Sequence, residues 1–491
     1  MHGKLRRLGE ETVTDLRRSA AFGLQWSTAS QFFRQGVQVL TTILLARLLS
    51  PSDFGLVSMA AVVIAFVQVF GDLGTASAVI QRKHVSRDFL SSIFWGNVLF
   101  GIVVTAVVAA LAPLAAAFFG DPRVASILQV LSLGFLAGGL GSVQKAVMER
   151  DLAFRRLAYL ETAATAAGAV VGIWLALSGA GVWSLAWQSV ATAAATTALF
   201  WFGTRWRPGW IFRWPEVRSV SSYSLHLTGF NVLNYFARNA DYILIGRFLG
   251  AVPLGYYTLA YRIMFYPLQN ISTVVGRVAL PLFSRIQEDD GAFRSGYVKA
   301  NCGIALAVVP MMLGLWALAE PAVLLLFGPR WAPVVPLVLI LAPIGMLQSV
   351  GSTVGTIYQV KGRTDLMLRW GIGAGALAVF SFAVGLRWGV VGVAASYAVA
   401  SLLLAYPNFA IPFRLIGLGM GEFLAALARP LAAGVIMLAL VLAGRFLLPP
   451  DLSGKWVLLI LVPAGAVAYG AATWMLNREQ FRETVGLLLG R

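Results

Sequence analysis

The chain has 491 residues, of which 58% are hydrophobic and only 12% are charged. A water-soluble domain usually carries about 25% charged residues, so this much apolar surface excludes a soluble globular protein and indicates a chain that resides in a lipid bilayer. The net charge of +17 is compatible with nucleic-acid binding, but the basic residues fall in short gaps between apolar stretches, as in membrane proteins, so we expect no nucleic-acid partner.

The chain begins with a basic segment, residues 1–19, which we interpret as an uncleaved cytoplasmic tail. Apolar stretches long enough to cross a bilayer follow it, and they predict an all-α integral membrane protein with about 14 transmembrane helices. The stretches lie near residues 20–48, 54–80, 89–118, 122–146, 156–178, 181–203, 221–248, 254–284, 292–318, 332–359, 366–386, 389–410, 424–447 and 456–476.

The basic residues predict the orientation of the chain. Most of the 38 lysines and arginines fall in tails and gaps that share one side of the membrane. The positive-inside rule therefore places both termini in the cytoplasm. The longest cytoplasmic gap, GTRWRPGWIFRWPEVR at residues 203–218, interleaves tryptophan with arginine, so we expect it to lie in the lipid headgroup layer.

A motif at the outer end of the first stretch recurs in the second half of the chain. LLARLLSPSDFGLVSMA begins at Leu44, and LIGRFLGAVPLGYYTLA begins at Leu244. Both copies lie on the same side of the membrane, which is the pattern of a parallel repeat with its pseudo-axis along the membrane normal. The identical pairs are Leu44 and Leu244, Arg47 and Arg247, Leu49 and Leu249, Gly55 and Gly255, and Ala60 and Ala260.

The repeat predicts the domain organisation. We expect two pseudo-symmetric six-helix lobes, residues 20–203 and 221–410, separated by a cytoplasmic loop at 204–220. Residues 411–491 lie outside the duplication and add two C-terminal helices and a cytoplasmic C-terminus. In transporters built from repeats the substrate site lies where the copies meet, so we expect a central cleft there.

Polar side chains recur along single faces of the first and seventh stretches, at the spacing i, i+3, i+4, i+7 that places residues on one side of a helix. A charged side chain inside a membrane costs roughly 2.5–3.5 kcal/mol and usually faces a cavity or a partner. We therefore expect both faces to line the cleft. The two sets are Gln31, Arg34, Gln35 and Gln38, and Asn231, Asn234, Tyr235 and Arg238.

The eighth stretch adds polar residues to this predicted cavity, namely Tyr261, Arg262, Gln269, Asn270 and Arg277. Asp72 and Asp241 are the acids that we consider for ion coupling. Four arginines then outnumber two acids, and a positive cleft favours an anionic ligand. Arginine suits phosphate, while amide and phenol groups suit sugar hydroxyls. The alternatives are an Arg238–Asp241 pair at i, i+3, and snorkelling of Arg262 and Arg277.

The sequence contains few groups suited to metal, redox or catalytic chemistry. A single cysteine, Cys302, excludes an internal disulfide. The histidines, His2, His84 and His226, are too scattered for a metal site. We find no phosphate-binding Walker loop and no nucleophile–base pair, so the sequence predicts neither an enzyme nor a bound cofactor.

Four segments resemble bacterial polysaccharide flippases, the Wzx-like branch of the multidrug/oligosaccharidyl-lipid/polysaccharide exporter superfamily. They are LARLLSPSDFGLVSMAAVV, FGDLGTASAVIQRK, RNADYILIGRFLGAVPLGYYTLAYRIMFYPLQN and LLFGPRWAPVVPLVLILAP. The resemblance covers about residues 20–410 and is closest to the exopolysaccharide-exporting subgroup. It implies two six-helix lobes in a V around a central cationic cavity, for which Arg34, Arg238 and Arg262 are the best candidates here.

The resemblance also implies a function. It implies flipping of polyprenyl-diphosphate-linked oligosaccharide repeat units from the inner to the outer leaflet of the bacterial cytoplasmic membrane, by alternating access, for exopolysaccharide or lipopolysaccharide biosynthesis. Membrane lipids, a polysaccharide polymerase and export machinery would be partners. One alternative is a cation-coupled multidrug exporter of the same superfamily, although the first helix lacks the expected acid. A second is a membrane glycosyltransferase or polysaccharide polymerase, although no large outer loop or acidic catalytic element is found.

Overall fold

The computed structural model describes residues 30–71, 79–80, 82, 85–216, 225–449 and 451–476, without the side chains at 225–231, 233, 267–279 and 281. Within these ranges all regular structure is helical and no strand occurs. Nine helical stretches of this described part are long and apolar enough to cross a bilayer, if residues 364–413 count as one. The predicted all-α membrane class is confirmed.

The chain divides into two compact units, Met1–Val252 and Pro253–Arg491. In unit 1, helix α7 packs against α2 and α3. The repeat assigns α7 to the second predicted lobe, whereas its contacts here are made in unit 1. The helices of unit 1 are α1 (residues 30–48), α2 (Pro51–Gly71), α3 (Arg87–Phe119), α4 (Arg123–Arg150), α5 (Phe154–Leu177), α6 (Trp183–Gly203) and α7 (Leu225–Phe248).

Short sequence signals set the ends of these helices. Helix α2 begins at Pro51, where the N–H that proline lacks would have no helical partner. Ser50 and Asp53 cap this end reciprocally, because the Ser50 amide donates to Asp53 Oδ2 at 2.8 Å and the Asp53 amide donates to Ser50 Oγ at 3.3 Å. Helix α3 ends at Gly120, whose φ of 72° favours glycine.

Gly55, one of the repeated positions, marks a close approach of two backbones in unit 1. A Cβ atom placed on Gly55 would lie 1.7 Å from the carbonyl oxygen of Ala251. Contacts under 3.0 Å are essentially never seen for real Cβ atoms. Glycine at this position therefore lets α2 pass against the backbone that follows α7.

In unit 2, helix α15 packs against α9, and α16 packs against α15. Cys302 on α9 is buried, with 1% exposure, and its Sγ lies 3.5 Å from the Ala426 carbonyl oxygen of α15. The helices are α8 (Ala251–Arg285), α9 (Asp290–Ala317), α10 (Ala319–Phe327), α11 (Val334–Gly351), α12 (Val354–Val360), α13 (Thr364–Gly385), α14 (Gly389–Phe413), α15 (Met420–Leu447) and α16 (Gly454–Leu476).

Unit 2 departs from the sequence expectation in two places. The gap before the tenth stretch contains the short helix α10, and the tenth stretch, expected as one helix at 332–359, breaks between α11 and α12. At the break, Thr353 Oγ1 lies 3.0 Å from both the Tyr297 hydroxyl and Asn301 Oδ1 of α9. All three residues are buried. Ser352 Oγ lies 2.7 Å from the Ser349 carbonyl oxygen and Thr353 Oγ1 lies 3.2 Å from that of Val350, so side-chain hydroxyls meet backbone carbonyls at the break.

Candidate functional site

The polar face of α1 lies on one continuous helix, so Gln31, Arg34, Gln35 and Gln38 share a side. Gln38 is exposed and the other three are partly buried. The side-chain oxygen of Gln35 is enclosed and meets no hydrogen-bond donor within the described part of the chain. The face therefore presents amide groups both at the surface and inside the packing of unit 1.

Arg34 is paired with Glu161, an acid outside the predicted site. Its guanidinium donates to Oε2 of Glu161 on α5. The other oxygen of Glu161 lies 3.4 Å from Lys145 Nζ on α4, and Lys145 Nζ lies 3.9 Å from Glu149. We call these four residues the Glu161 cluster. Their formal charges cancel, so Arg34 is not an uncompensated cation in this conformation.

The signal that could have identified Glu161 is its depth in the fifth predicted stretch. Helix α5 begins at Phe154, so Glu161 lies roughly 10 Å along the axis at a rise of 1.5 Å per residue. The side chain is 19% exposed. An acid at such a depth marks a functional or paired position. Its partner could not be read from the sequence, because Arg34 and Glu161 are far apart along the chain.

On α7 the predicted polar face divides into exposed and buried members. Asn234 and Arg238 are exposed. Tyr235 is buried, its hydroxyl donates to the Val62 carbonyl oxygen of α2, and its ring lies 5.5 Å from that of Phe66. Tyr235 therefore connects α7 to α2 through a hydrogen bond and an aromatic contact.

Arg238 and Asp241 are separate in the structure. Arg238 makes no ion pair or hydrogen bond with another described residue, so the i, i+3 pairing with Asp241 is not made. Asp241 is buried and accepts a hydrogen bond from the Tyr242 amide at 2.9 Å. Arg238 is thus an exposed cation on α7, and Asp241 is an enclosed acid one turn further along.

In unit 2, α8 carries Tyr261 and Arg262. Tyr261 is partly buried in an aromatic row, with ring centroids 5.9 Å from Tyr257 and 5.7 Å from Phe265. Arg262 is exposed and has no ion pair or hydrogen bond to any residue that the structure describes. The remaining predicted site positions lie outside the described residues or side chains: Asp72, Asn231, Gln269, Asn270 and Arg277.

The chain that follows α6 is fastened to the start of α3. We call residues 204–216, the described part of the predicted 204–220 loop, the strap. The Gly209 amide donates to Ser91 Oγ at 2.9 Å, and Trp95 Nε1 donates to the Gly209 carbonyl oxygen at 2.9 Å. The Arg213 amide donates to Ser92 Oγ at 3.0 Å. The strap is therefore a docked element of unit 1.

The docked strap presents aromatic and cationic groups at the surface. Trp210 is 91% exposed and Trp214 is 60% exposed. Trp210 stacks on Trp95 with ring centroids 4.8 Å apart, and the Arg213 guanidinium lies 2.9 Å from Asp88. Tryptophan and arginine are residues that favour the membrane–water interface, and the strap exposes the residue types on which its expected headgroup location rests.

Comparison with known proteins identifies the family. Residues 44–336, more than half of the chain, match the family described as "Polysaccharide biosynthesis protein". The chain belongs to the polysaccharide biosynthesis protein family. The resemblance predicted from the sequence is thereby confirmed, and the protein is a multi-pass membrane member of this family.

Two relatives extend this similarity. This family member is 29% identical over 395 residues to the lipopolysaccharide biosynthesis protein WzxC of Escherichia coli (strain K12). The aligned region covers 79% of this chain and 80% of WzxC. It is 31% identical over 317 residues to the succinoglycan biosynthesis transport protein ExoT of Rhizobium meliloti (strain 1021), which covers 65% of this chain and 64% of ExoT.

A solved structure shows the fold. The lipid II flippase MurJ, in an inward closed conformation, is similar with a TM-score of 0.73. The superposition covers 93% of this chain and 99% of MurJ. The sequences are only 14% identical, so this similarity concerns the fold alone. The fold of this polysaccharide biosynthesis protein is therefore similar to that of MurJ.

The described side chains offer two kinds of chemistry for an oligosaccharide linked to a phosphate. Arg238 and Arg262, each within its own unit, present guanidinium groups that can bind phosphate oxygens in a planar fork. Gln38 and Asn234 present exposed amides that can both donate to and accept from hydroxyl groups. Arg34 can bind phosphate oxygens in this way only if its ion pair with Glu161 breaks.

Proposed function

We propose that this protein flips a polyprenyl-diphosphate-linked oligosaccharide from the inner to the outer leaflet of the bacterial cytoplasmic membrane, by alternating access, for exopolysaccharide or lipopolysaccharide biosynthesis. The observation that carries the proposal is the match with polysaccharide biosynthesis proteins along most of a chain made of membrane helices, one of them named a transport protein. The similarity of the fold to that of the flippase MurJ supports the proposal.

The proposed topology has fourteen spans, in two six-helix lobes followed by two C-terminal helices, with both termini in the cytoplasm. Each of the fourteen apolar stretches of the sequence contains a described helix, which supports the span count. The concentration of lysine and arginine on one side supports the orientation. A polysaccharide polymerase and export machinery would receive the flipped unit.

In this proposal the protein leaves its substrate chemically unchanged and needs no cofactor. Arginines on the polar helix faces would bind the diphosphate, and the exposed amides would bind sugar hydroxyls. Arg34 and Arg238 of unit 1 and Arg262 of unit 2 are the cationic candidates, with Arg277 as a further one. Gln31, Gln35, Gln38, Asn231, Asn234, Tyr235, Tyr261, Gln269 and Asn270 are the uncharged candidates, and Asp72 and Asp241 are the candidates for ion coupling.

The test is transfer of a fluorescently labelled polyprenyl-diphosphate-linked oligosaccharide across proteoliposomes that contain the purified full-length protein. A glycosidase added outside reports the fraction that has crossed. We expect transfer above that of protein-free vesicles for at least one of several glycans. No transfer of any glycan, together with uptake of a cationic dye, would replace this proposal with the multidrug exporter.

Variants test the cationic candidates. Arg238→Ala removes an exposed guanidinium that pairs with no described residue, so we expect a loss of transfer of about tenfold. Arg123→Ala is the matched control, because Arg123 pairs with Asp121 at an exposed helix start and surface pairs contribute little. Equal transfer by the two variants would remove Arg238 from the proposed site.

A further inference from the structure

The Glu161 cluster places one carboxylate between two cations of different helices. Oε2 of Glu161 accepts from Arg34 of α1, and Oε1 faces Lys145 of α4 at 3.4 Å. The Arg34 side chain is 27% exposed, so this pair is shielded from water without being sealed. A carboxylate oxygen offers arginine the same acceptor that a phosphate oxygen offers. Glu161 therefore occupies, at Arg34, the position that a phosphate oxygen would take.

The two contacts of Glu161 differ in strength. The Arg34 contact is a direct hydrogen bond, whereas the distances from Lys145 Nζ, 3.4 Å to Glu161 and 3.9 Å to Glu149, exceed the usual 2.7–2.9 Å of a charge-assisted bond. Lys145 is thus held loosely between two carboxylates. If Arg34 turned away, Lys145 could close on Glu161, and the partly buried carboxylate would keep a partner.

We propose that Glu161 is a positioning residue that holds Arg34 in an internal ion pair and releases it to the diphosphate of the substrate, while Lys145 neutralises the freed carboxylate. This inference rests on the proposed function. Because the internal pair competes with the ligand, it lowers the apparent affinity by the fraction of time that Arg34 is free. The same competition favours release of the diphosphate after transfer, because Arg34 can then pair with Glu161 again.

The first test measures binding without transport. The purified full-length protein in nanodiscs is titrated with farnesyl diphosphate, which carries the isoprenoid and the diphosphate but no sugar. Glu161→Gln keeps the shape and removes the competing charge, so we expect the Kd to fall on the order of tenfold. Glu149→Gln is the matched control, because it makes the same charge change while the Glu149 carboxylate, within the described residues, pairs with Lys145 and not with Arg34, and we expect a change below about twofold.

Two further variants fix the direction of the effect. Lys145→Met removes the cation that would neutralise Glu161, so Arg34 should be held more tightly and the Kd should rise. A rise in Kd for Lys145→Met, opposite to the fall expected for Glu161→Gln, tests the proposal even if Glu161→Gln fails to fold. In the background of Arg34→Ala, Glu161→Gln should no longer tighten binding, because Glu161 acts through Arg34. Tighter binding in that background, or weaker binding for Glu161→Gln alone, would overturn the proposal.

The transport assay separates this inference from the proposed function. With the labelled lipid-linked oligosaccharide, Glu161→Gln should lower both KM and kcat, because binding improves and release slows, which a purely structural defect would not do. If the wild type flips the substrate and Glu161→Gln behaves like Glu149→Gln in both assays, the inference fails and the function stands. If the wild type does not flip the substrate and farnesyl diphosphate binding still follows the expected pattern, the proposed function fails and the inference about Glu161 stands.

Discussion

Gly55 permits a sharp test of the packing in unit 1. Replacement by alanine would place Cβ 1.7 Å from the Ala251 carbonyl oxygen, so the two backbones must separate by at least 1.3 Å to reach the 3.0 Å limit for such contacts. Forced overpacking of this kind typically costs about 1–3 kcal/mol. We therefore expect Gly55→Ala to destabilise unit 1.

Gly134 provides the matched control. It also lies inside a membrane helix, α4, but a Cβ atom there meets nothing within 4 Å. Gly134→Ala should gain roughly 0.5–1 kcal/mol from the greater helix propensity of alanine. The two variants thus carry the same chemical change with opposite expected signs.

The assay is the apparent Tm of the detergent-solubilised protein, measured by loss of the monodisperse peak after heating. For a unit of about 250 residues, 1 kcal/mol moves Tm by roughly 2 °C, so Gly55→Ala should melt about 2–6 °C below the wild type. Gly134→Ala should melt at or above the wild type. Equal Tm values for the two variants would refute the close approach at Gly55.

Three other predictions address the helix break, the strap and the start of α4. Thr353→Val removes one hydrogen-bond partner from two buried polar side chains of α9, so unit 2 should lose about 1–3 kcal/mol, measured as a lower Tm. Trp95→Phe removes the hydrogen bond to Gly209, so trypsin should cleave the strap faster than in the wild type. The Arg123 hydrogen bond holds the pKa of Asp121 below its usual value, so the stabilisation from this pair is present above the unfolded pKa of Asp121 and is lost as pH falls through the folded pKa. Asp121→Asn should remove that part of the acid dependence of Tm, worth at most about 1 kcal/mol.

Each of these predictions has a contrary outcome. An unchanged Tm for Thr353→Val would mean that the break does not depend on its hydroxyl. Equal trypsin cleavage rates for Trp95→Phe and the wild type would show that the strap is held by its other contacts. A Tm of Asp121→Asn that falls with acid as steeply as that of the wild type would assign the loss to other carboxylates.

The membrane class and the helix positions could be predicted because they depend on local sequence. The fifth stretch, expected at 156–178, is observed as Phe154–Leu177, since apolar length alone determines where a chain can cross a bilayer. Hydropathy does not distinguish a continuous helix from a broken one. At the break Thr353 meets partners from α9, which are remote in the sequence, so the tenth stretch could not be divided from its own composition.

The polar faces of the candidate site could be predicted, but not the partners of their members. Helical spacing places Arg34 and Arg238 on polar faces without reference to the rest of the fold. Whether each arginine is free depends on which helix packs beside it. Glu161 reaches Arg34 because α5 passes α1 at the right height, and Tyr235 is used in packing because α2 presents the Val62 carbonyl to it.

The burial of Cys302 has a practical consequence for mapping how the chain is threaded. A thiol with 1% exposure, packed against the Ala426 carbonyl, reacts slowly with alkylating reagents, because these require an accessible thiolate. The protein therefore carries a natural low background for maleimide labelling. Single cysteines introduced at Trp210 in the strap and at Arg123 should then report, by their reactivity in intact and permeabilised cells, which face of the membrane each one occupies.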